Sequence, residues 1–151
     1  MEMPVLQPIP IVTKEKHFLI RIWRWISSVR HWSLAEDWYY DLPDQTRIKI
    51  PAGFVMDGAS VPRPLWGLLS PTGLLLIPGI IHDYAYQHDG LIALDQDQNE
   101  TPYRAGAGRR FWDQLFLKVA TETNDLCGID YLAYLAIRLG GWLPWRQHRK
   151  K

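Results

Sequence analysis

The run Ile80-Ile81-His82-Asp83-Tyr84-Ala85-Tyr86 sets an imidazole beside a carboxylate at the end of an apolar stretch. Histidine titrates closest to neutrality of the ordinary side chains, so it can accept a proton from water at working pH. To act as such a base it needs a carboxylate that fixes its tautomer and stabilises the imidazolium once formed. Asp83 is badly placed for that role if the segment is helical, because adjacent helical residues point about 100° apart. Tyr86 follows His82 by four residues and falls on the same helical face. The orienting carboxylate is therefore expected from another element, and Asp113 is the best candidate. It lies in an apolar stretch beside Trp112 and before Phe116, where an unpaired carboxylate would be costly. Asp83 is left to meet a metal or a loop, and Asp57, at the head of the 57–64 loop, lies in a segment that could come back to meet the pair. The expected site thus groups His82, Asp113 and Tyr86, with Asp83 and Asp57 as the further carboxylates that could join it. The same buried His82–Asp113–Tyr86 group is also what a structural polar network would contain. His88 and Asp89 read as exposed loop residues.

Two antiparallel helices joined by the 90–108 connection would bring His82 to Asp113. The apolar run 74–86 predicts the first helix, with Pro78 confining its regular part to the C-terminal half. Phe111, Trp112, Leu115, Phe116 and Val119 give the second helix, over 109–121, its spacing. Residues 90–103, rich in Asp, Gln and Asn, read as an exposed loop. After a turn at 124–128, Asp130 is a plausible N-cap for a third helix over 131–139. Gly140-Gly141 stops that helix, and Trp142-Leu143-Pro144-Trp145 leads into a basic tail, 146–151. Upstream the pattern is β. Trp38-Tyr39-Tyr40 is strand-like, Leu42-Pro43-Asp44-Gln45 carries turn chemistry, and Thr46-Arg47-Ile48-Lys49-Ile50 alternates with Ile48 and Ile50 inward. Phe54-Val55-Met56 follows Pro51 and Gly53, so a small antiparallel sheet or hairpin is expected. Asp57-Gly58-Ala59-Ser60-Val61-Pro62-Arg63-Pro64 is a proline-stiffened loop, and 65–69 a short turn or helix. Residues 1–16 form an extended arm. Residues 17–29 suit either a basic amphipathic helix or a strand. The fold class is α+β, a single domain over 1–151, with a small N-terminal sheet and a mainly helical C-terminal half.

Composition narrows the function classes. With 151 residues, 47% hydrophobic and 22% charged, the chain can bury a real core. A net charge of +1 gives no reason to expect a specific nucleic-acid partner. Basic residues do crowd the ends, at Lys14, Lys16, Arg21, Arg24 and Arg30 and again at Arg146, Arg149, Lys150 and Lys151, where they would suit an anionic membrane surface. Eight tryptophans suit cores, carbohydrate platforms and membrane interfaces alike. The single Cys127 excludes an intrachain disulfide and reads as a small hydrophobe near a helix start. Neither a signal peptide nor a membrane-spanning run is evident. No His-Glu-x-x-His or cysteine motif supports a zinc hydrolase built on His82, Asp83 and Asp113.

The run from Ile50 through Gly53-Phe54, Asp57-Gly58-Ala59-Ser60 and Val61-Pro62-Arg63, then Trp66, then Ile81-His82-Asp83-Tyr84-Ala85-Tyr86, then Arg109 and Asp113-Gln114-Leu115-Phe116, resembles the phage- and prophage-associated family catalogued as domain of unknown function 1353. That resemblance implies expression in a bacterial host, in its cytoplasm or attached to a virion, with a phage virion or host protein as a partner. A second, local similarity joins His82-Asp83 and Tyr86 to Asp113 and Phe116. This pattern is similar to the catalytic helix pair of secreted phospholipase A2 enzymes. The similarity implies His82 as the water-activating base, Asp83 as a calcium ligand, Asp113 as the orienting carboxylate and Tyr86 bonded to it. The phospholipase disulfides and Gly-rich calcium loop have no counterpart here, so the similarity implies that Asp57 to Ser60 substitutes for that loop, through its carbonyls or with Asp57 itself as a metal ligand beside Asp83. The implied activity is metal-assisted hydrolysis of a bacterial cell-envelope component, phospholipid first, with calcium as the favoured divalent cation. The alternative is a non-enzymatic phage module in which the His/Asp cluster is structural.

Overall fold

Alternation in Arg47-Ile48-Lys49-Ile50 builds the first layer, because successive strand residues point to opposite faces. The computed structural model describes residues 3–9, 31–56 and 73–149, the side chain of Leu143 excepted. Asp57, the 57–64 loop, the 65–69 turn, residues 10–16 of the arm and the helix-or-strand question at 17–29 lie outside the described residues.

Seven described strands form two antiparallel sheets. In the first, β1 (Leu6–Pro8), β2 (Trp32–Leu34) and β5 (Val55–Met56) pair in that order, so part of the extended arm is a strand. In the second, β3 (Trp38–Asp41), β4 (Arg47–Ile50), β6 (Leu91–Leu94) and β7 (Glu100–Tyr103) pair in chain order. Ile48 and Ile50 are fully buried, as the alternation predicts. Lys49 points the other way, to Asp37 at 2.9 Å and Glu100 at 2.7 Å.

The expectation of an exposed loop over 90–103 is corrected here. That stretch is a hairpin, β6–β7, and β6 adds to β4 with Ile48 opposite Ala93 and Lys49 opposite Ile92. Its polar residues are concentrated in the turn, where the Asp95 carboxylate accepts from the backbone N–H groups of Asp97 and Asn99, both at 2.8 Å. The four-residue run Leu91-Ile92-Ala93-Leu94 supplies the strand, with Leu91 and Ala93 buried.

Helix α1 (Leu76–His88) is the centre of the molecule, with ten of its 13 residues buried, as a helix apolar on every side must be. Pro78 occupies the first turn, where its missing N–H breaks no intrahelical bond, so the regular helix begins before it. Helix α2 (Arg109–Asn124) runs back along α1. Trp112 meets Asp89 at the C-terminal end of α1, and Phe116 and Ala120 cluster with Leu75 at its other end. The main core, including Ile48, Ile50, Ile80, Ile81, Trp112 and Val119, fills the space between sheet and helices.

Two further helices differ from expectation. Helix α3 spans Cys127–Gly140, so it begins before Asp130. Asp130 is therefore not an N-cap; it is buried in the first turn and accepts from Asn124 at 2.9 Å. Cys127 does start the helix but is exposed, not packed as a small hydrophobe. Beyond Gly141 the chain resumes as α4 (Trp142–His148), so the basic tail is helical as far as His148. Gly141 has helical dihedrals and ends α3 without a left-handed cap, which is why two glycines do not stop the chain from coiling.

Candidate functional site

An acid inside an apolar helix must find partners, and Asp113 finds them on three helices. It is 0% exposed. From α1, His82 Nε2 lies 3.2 Å from Asp113 Oδ1, and the Tyr86 hydroxyl donates to the same oxygen. From α3, Arg138 Nη1 donates to Oδ2 at 2.9 Å. Arg109, one turn before Asp113 on α2, brings its Nε to 3.9 Å from Oδ2. The three residues expected to form the catalytic group are thus in direct contact, by the antiparallel packing of α1 on α2.

Sequence spacing explains the placement. His82 and Tyr86 are one turn apart with their rings tilted at 39° and their centres 4.0 Å from each other, so both reach one carboxylate. Phe116, one turn after Asp113, meets the His82 ring edge-on at 5.6 Å and walls the imidazole on its other side. Helix α4 closes the group: Trp145 packs edge-on against Tyr86 at 5.1 Å, and Arg149 donates to the Tyr86 carbonyl at 2.9 Å. Gly141 sits where a Cβ would lie 2.7 Å from the Tyr86 hydroxyl and 2.6 Å from the Ile137 carbonyl. Only a residue without a side chain lets the junction of α3 and α4 approach Tyr86 of α1 this closely.

The electrostatics follow from these partners. Burial pushes the Asp113 pKa up, but bonds from His82, Tyr86 and Arg138 outweigh it and hold the carboxyl below its usual range. Burial pulls His82 down, and its acidic neighbours Asp113 and Asp83 more than reverse this, leaving its pKa above the ordinary histidine value. Tyr86 is pushed well up by burial and by the Asp113 charge, so it remains a donor. An ionised Asp113 requires the proton of a neutral His82 on Nε2, which leaves the Nδ1 lone pair available. Nδ1 lies 4.0 Å from Asp83 Oδ1, beyond direct hydrogen-bond range. His82 is 8% exposed, while the Asp83 side chain is 20% exposed, so the Asp83 side of the imidazole is the one nearer solvent.

Of the two expected metal ligands, Asp83 stands beside His82 and Asp57 lies outside the described residues. Among the described residues no three His, Cys, Asp or Glu side chains are grouped to hold a metal. Calcium takes six to eight oxygens, and the side chains grouped around Asp83 among the described residues do not by themselves make such a set. His88 is exposed, as expected, but it is the last residue of α1 and stacks on Tyr84, so it does not lie in a loop, and Asp89 is not a simple loop residue either. Its left-handed backbone caps α1, and its carboxylate accepts from Trp112 Nε1 at 2.8 Å and from the Gly108 N–H at 3.1 Å, fixing the start of α2.

Sequence reasoning missed Arg138 and Gly141. Arg138 carried a readable signal, since it is the one basic residue in an otherwise apolar helix and so calls for an acidic partner by the logic that singled out Asp113. A 310 Å³ cavity lined by Tyr84, His88, Leu91, Thr101 and Pro102 lies between α1 and the β6–β7 hairpin and includes none of the expected site residues.

A family model described as a protein of unknown function, DUF1353, matches residues 32–137, a span that includes His82, Tyr86 and Asp113. No curated protein and no solved structure matches the chain. With more than two-thirds of its length covered by that model, the chain belongs to the DUF1353 family of proteins of unknown function.

Proposed function

We propose that this is a phage-associated hydrolase of a bacterial envelope component, phospholipid favoured, in which His82 activates water. The observation that carries the reading is the contact of His82 with a buried carboxylate: Nε2 lies 3.2 Å from Asp113 Oδ1, and Nδ1 faces the more exposed Asp83 side. A water bridging Nδ1 and Asp83 across their 4.0 Å separation would lose a proton to Nδ1 as its oxygen attacks an ester carbonyl carbon. The tetrahedral oxyanion collapses, the ester C–O bond breaks, and the His82 imidazolium returns the proton to the departing alkoxide. The products are a carboxylic acid and an alcohol, and Asp113 stays ionised throughout. A divalent cation, calcium favoured, held by the Asp83 and Asp57 carboxylates would supply positive charge to the oxyanion.

A second reading is favoured by one observation, the Arg138–Asp113 bond at 2.9 Å. A carboxylate saturated by His82, Tyr86 and Arg138 needs no reacting molecule to justify its burial, and would make the group a structural element of a virion or host-interaction module. Purified protein incubated with phospholipid liposomes and with peptidoglycan, with calcium or chelator, separates the readings. The hydrolase reading expects fatty acid from liposomes, absent with His82→Asn. Release from peptidoglycan alone would move the substrate, and release from neither would favour the structural module.

A further inference from the structure

Helix α3 inverts the usual surface rule. An ordinary surface helix turns its apolar stripe inward and its charges to solvent. Here both charged residues turn inward, Asp130 buried against Asn124 and Arg138 bonded to Asp113. Every exposed position of α3 is uncharged. Leu132, Leu135, Leu139 and Trp142 recur at three- and four-residue spacing and so form one stripe, which the helical dihedrals of Gly141 carry into α4. Leu132 is 54% exposed, Leu139 79% and Trp142 52%, and Tyr131 flanks them. A contiguous apolar stripe of this kind marks an interaction surface.

The chemistry of its rim identifies what covers it. At the C-terminal end Arg146 stands over the Trp142 ring at 5.5 Å and Arg149 over Trp145 at 4.3 Å, and Lys150 and Lys151 follow in sequence. The nearest exposed acids in the chain, Glu122 and Asp125, precede α3 at the opposite end. On α3 and α4 no exposed acid stands beside Arg146 and Arg149, and anionic lipid brings a phosphate to each. Trp142 with its cation matches the amphipathic aromatic residues of membrane–water boundaries. Among the described residues no helix is long and apolar enough to cross a membrane, so the contact would lie in the plane of the surface.

We propose that the face formed by α3 and the start of α4 docks on an anionic lipid bilayer, the Leu132–Trp142 stripe entering the acyl boundary and Arg146 and Arg149 engaging headgroup phosphates. Docking through this face does not depend on whether His82 is catalytic. The test is flotation of the full chain with vesicles of phosphatidylcholine alone or mixed equally with phosphatidylglycerol, alongside its mass by sedimentation equilibrium. A preference for the anionic vesicles is expected, with Arg146→Gln weakening it about fivefold. Leu132→Ser with Leu139→Ser should weaken it about tenfold or more, with an unchanged far-ultraviolet spectrum. His82→Asn should bind as the parent does, which keeps a failure of docking separate from a failure of hydrolysis. Equal flotation of the double variant, no flotation of the parent, or a dimer that the double variant dissolves would each overturn the proposal, the last assigning the face to a second copy.

Discussion

Replacing Asp113 by Asn keeps the shape of the side chain and removes its charge, so it isolates what the buried carboxylate contributes. The carboxylate receives His82 at 3.2 Å, the Tyr86 hydroxyl and Arg138 at 2.9 Å. A bond to a charged group is worth about 1.5–3 kcal/mol net, and removing one partner of a buried pair costs about 3–5 kcal/mol. The loss is discounted here on two grounds. The Asn carbonyl can still accept from Tyr86, and the Arg138 side chain, 31% exposed, can turn to water. Against this, the Asn amide would meet either Arg138 or His82 donor to donor. The expected cost is about 2–4 kcal/mol, from a total stability of about 5–15 kcal/mol. At about 2–4 °C per kcal/mol for a chain this long, the midpoint should fall by about 5–15 °C. Urea and thermal melts measure it, with an unchanged urea slope showing that the unfolded state is not the cause. His82→Asn is the internal comparison: it removes one donor and leaves two, for about 1 kcal/mol. If Asp113→Asn costs less than about 1 kcal/mol, or no more than His82→Asn, the carboxylate is not the hub of the helical layer.

Gly141→Ala should destabilise by about 1–3 kcal/mol, because the new methyl would fall 2.7 Å from the Tyr86 hydroxyl and 2.6 Å from the Ile137 carbonyl. Helix propensity alone predicts the opposite sign at this helical position, so a thermal melt decides between them. Stability should also depend on pH at both edges. His82 has a raised folded pKa, so its contribution is complete below 6.5 and is lost as pH rises through the folded value. Asp113 has a lowered one, so its contribution is complete above 3.8 and is lost as pH falls through the folded value. Urea melts across pH should therefore show the two contributions together between those limits, and Asp113→Asn should flatten the acid edge. For hydrolysis the sign is reversed at His82: a base must be unprotonated, so the acid limb of a pH–rate profile should have its midpoint above 6.5.

How far the sequence reached depended on whether a signal was local. Ile48 and Ile50 could be placed inward from alternation alone, and Asp113 could be paired with His82 because a carboxylate among apolar neighbours demands a partner. The β6–β7 hairpin was hidden because five polar residues in its turn dominate the composition, while the pairing that makes it a strand, Ile48 with Ala93, spans 45 positions of sequence. Asp130 suited a cap by residue type, but the helix begins at Cys127, and tertiary packing against Asn124 decided its role. Gly141 looked like a helix stop and is instead a contact point, a distinction made by the Tyr86 hydroxyl from another helix. Arg138 is legible on the same ground as Asp113, since a charge in a largely apolar helix demands a partner.

The most direct test of His82 as the base is the rate of fatty-acid release by the parent and by His82→Asn, compared at a temperature where melts show both fully folded. General-base catalysis predicts a loss of about 10²–10⁴-fold in kcat with little change in liposome binding. A variant that is equally folded and equally active would contradict the account and leave the His82–Asp113–Tyr86–Arg138 group as the structural centre of the helical layer.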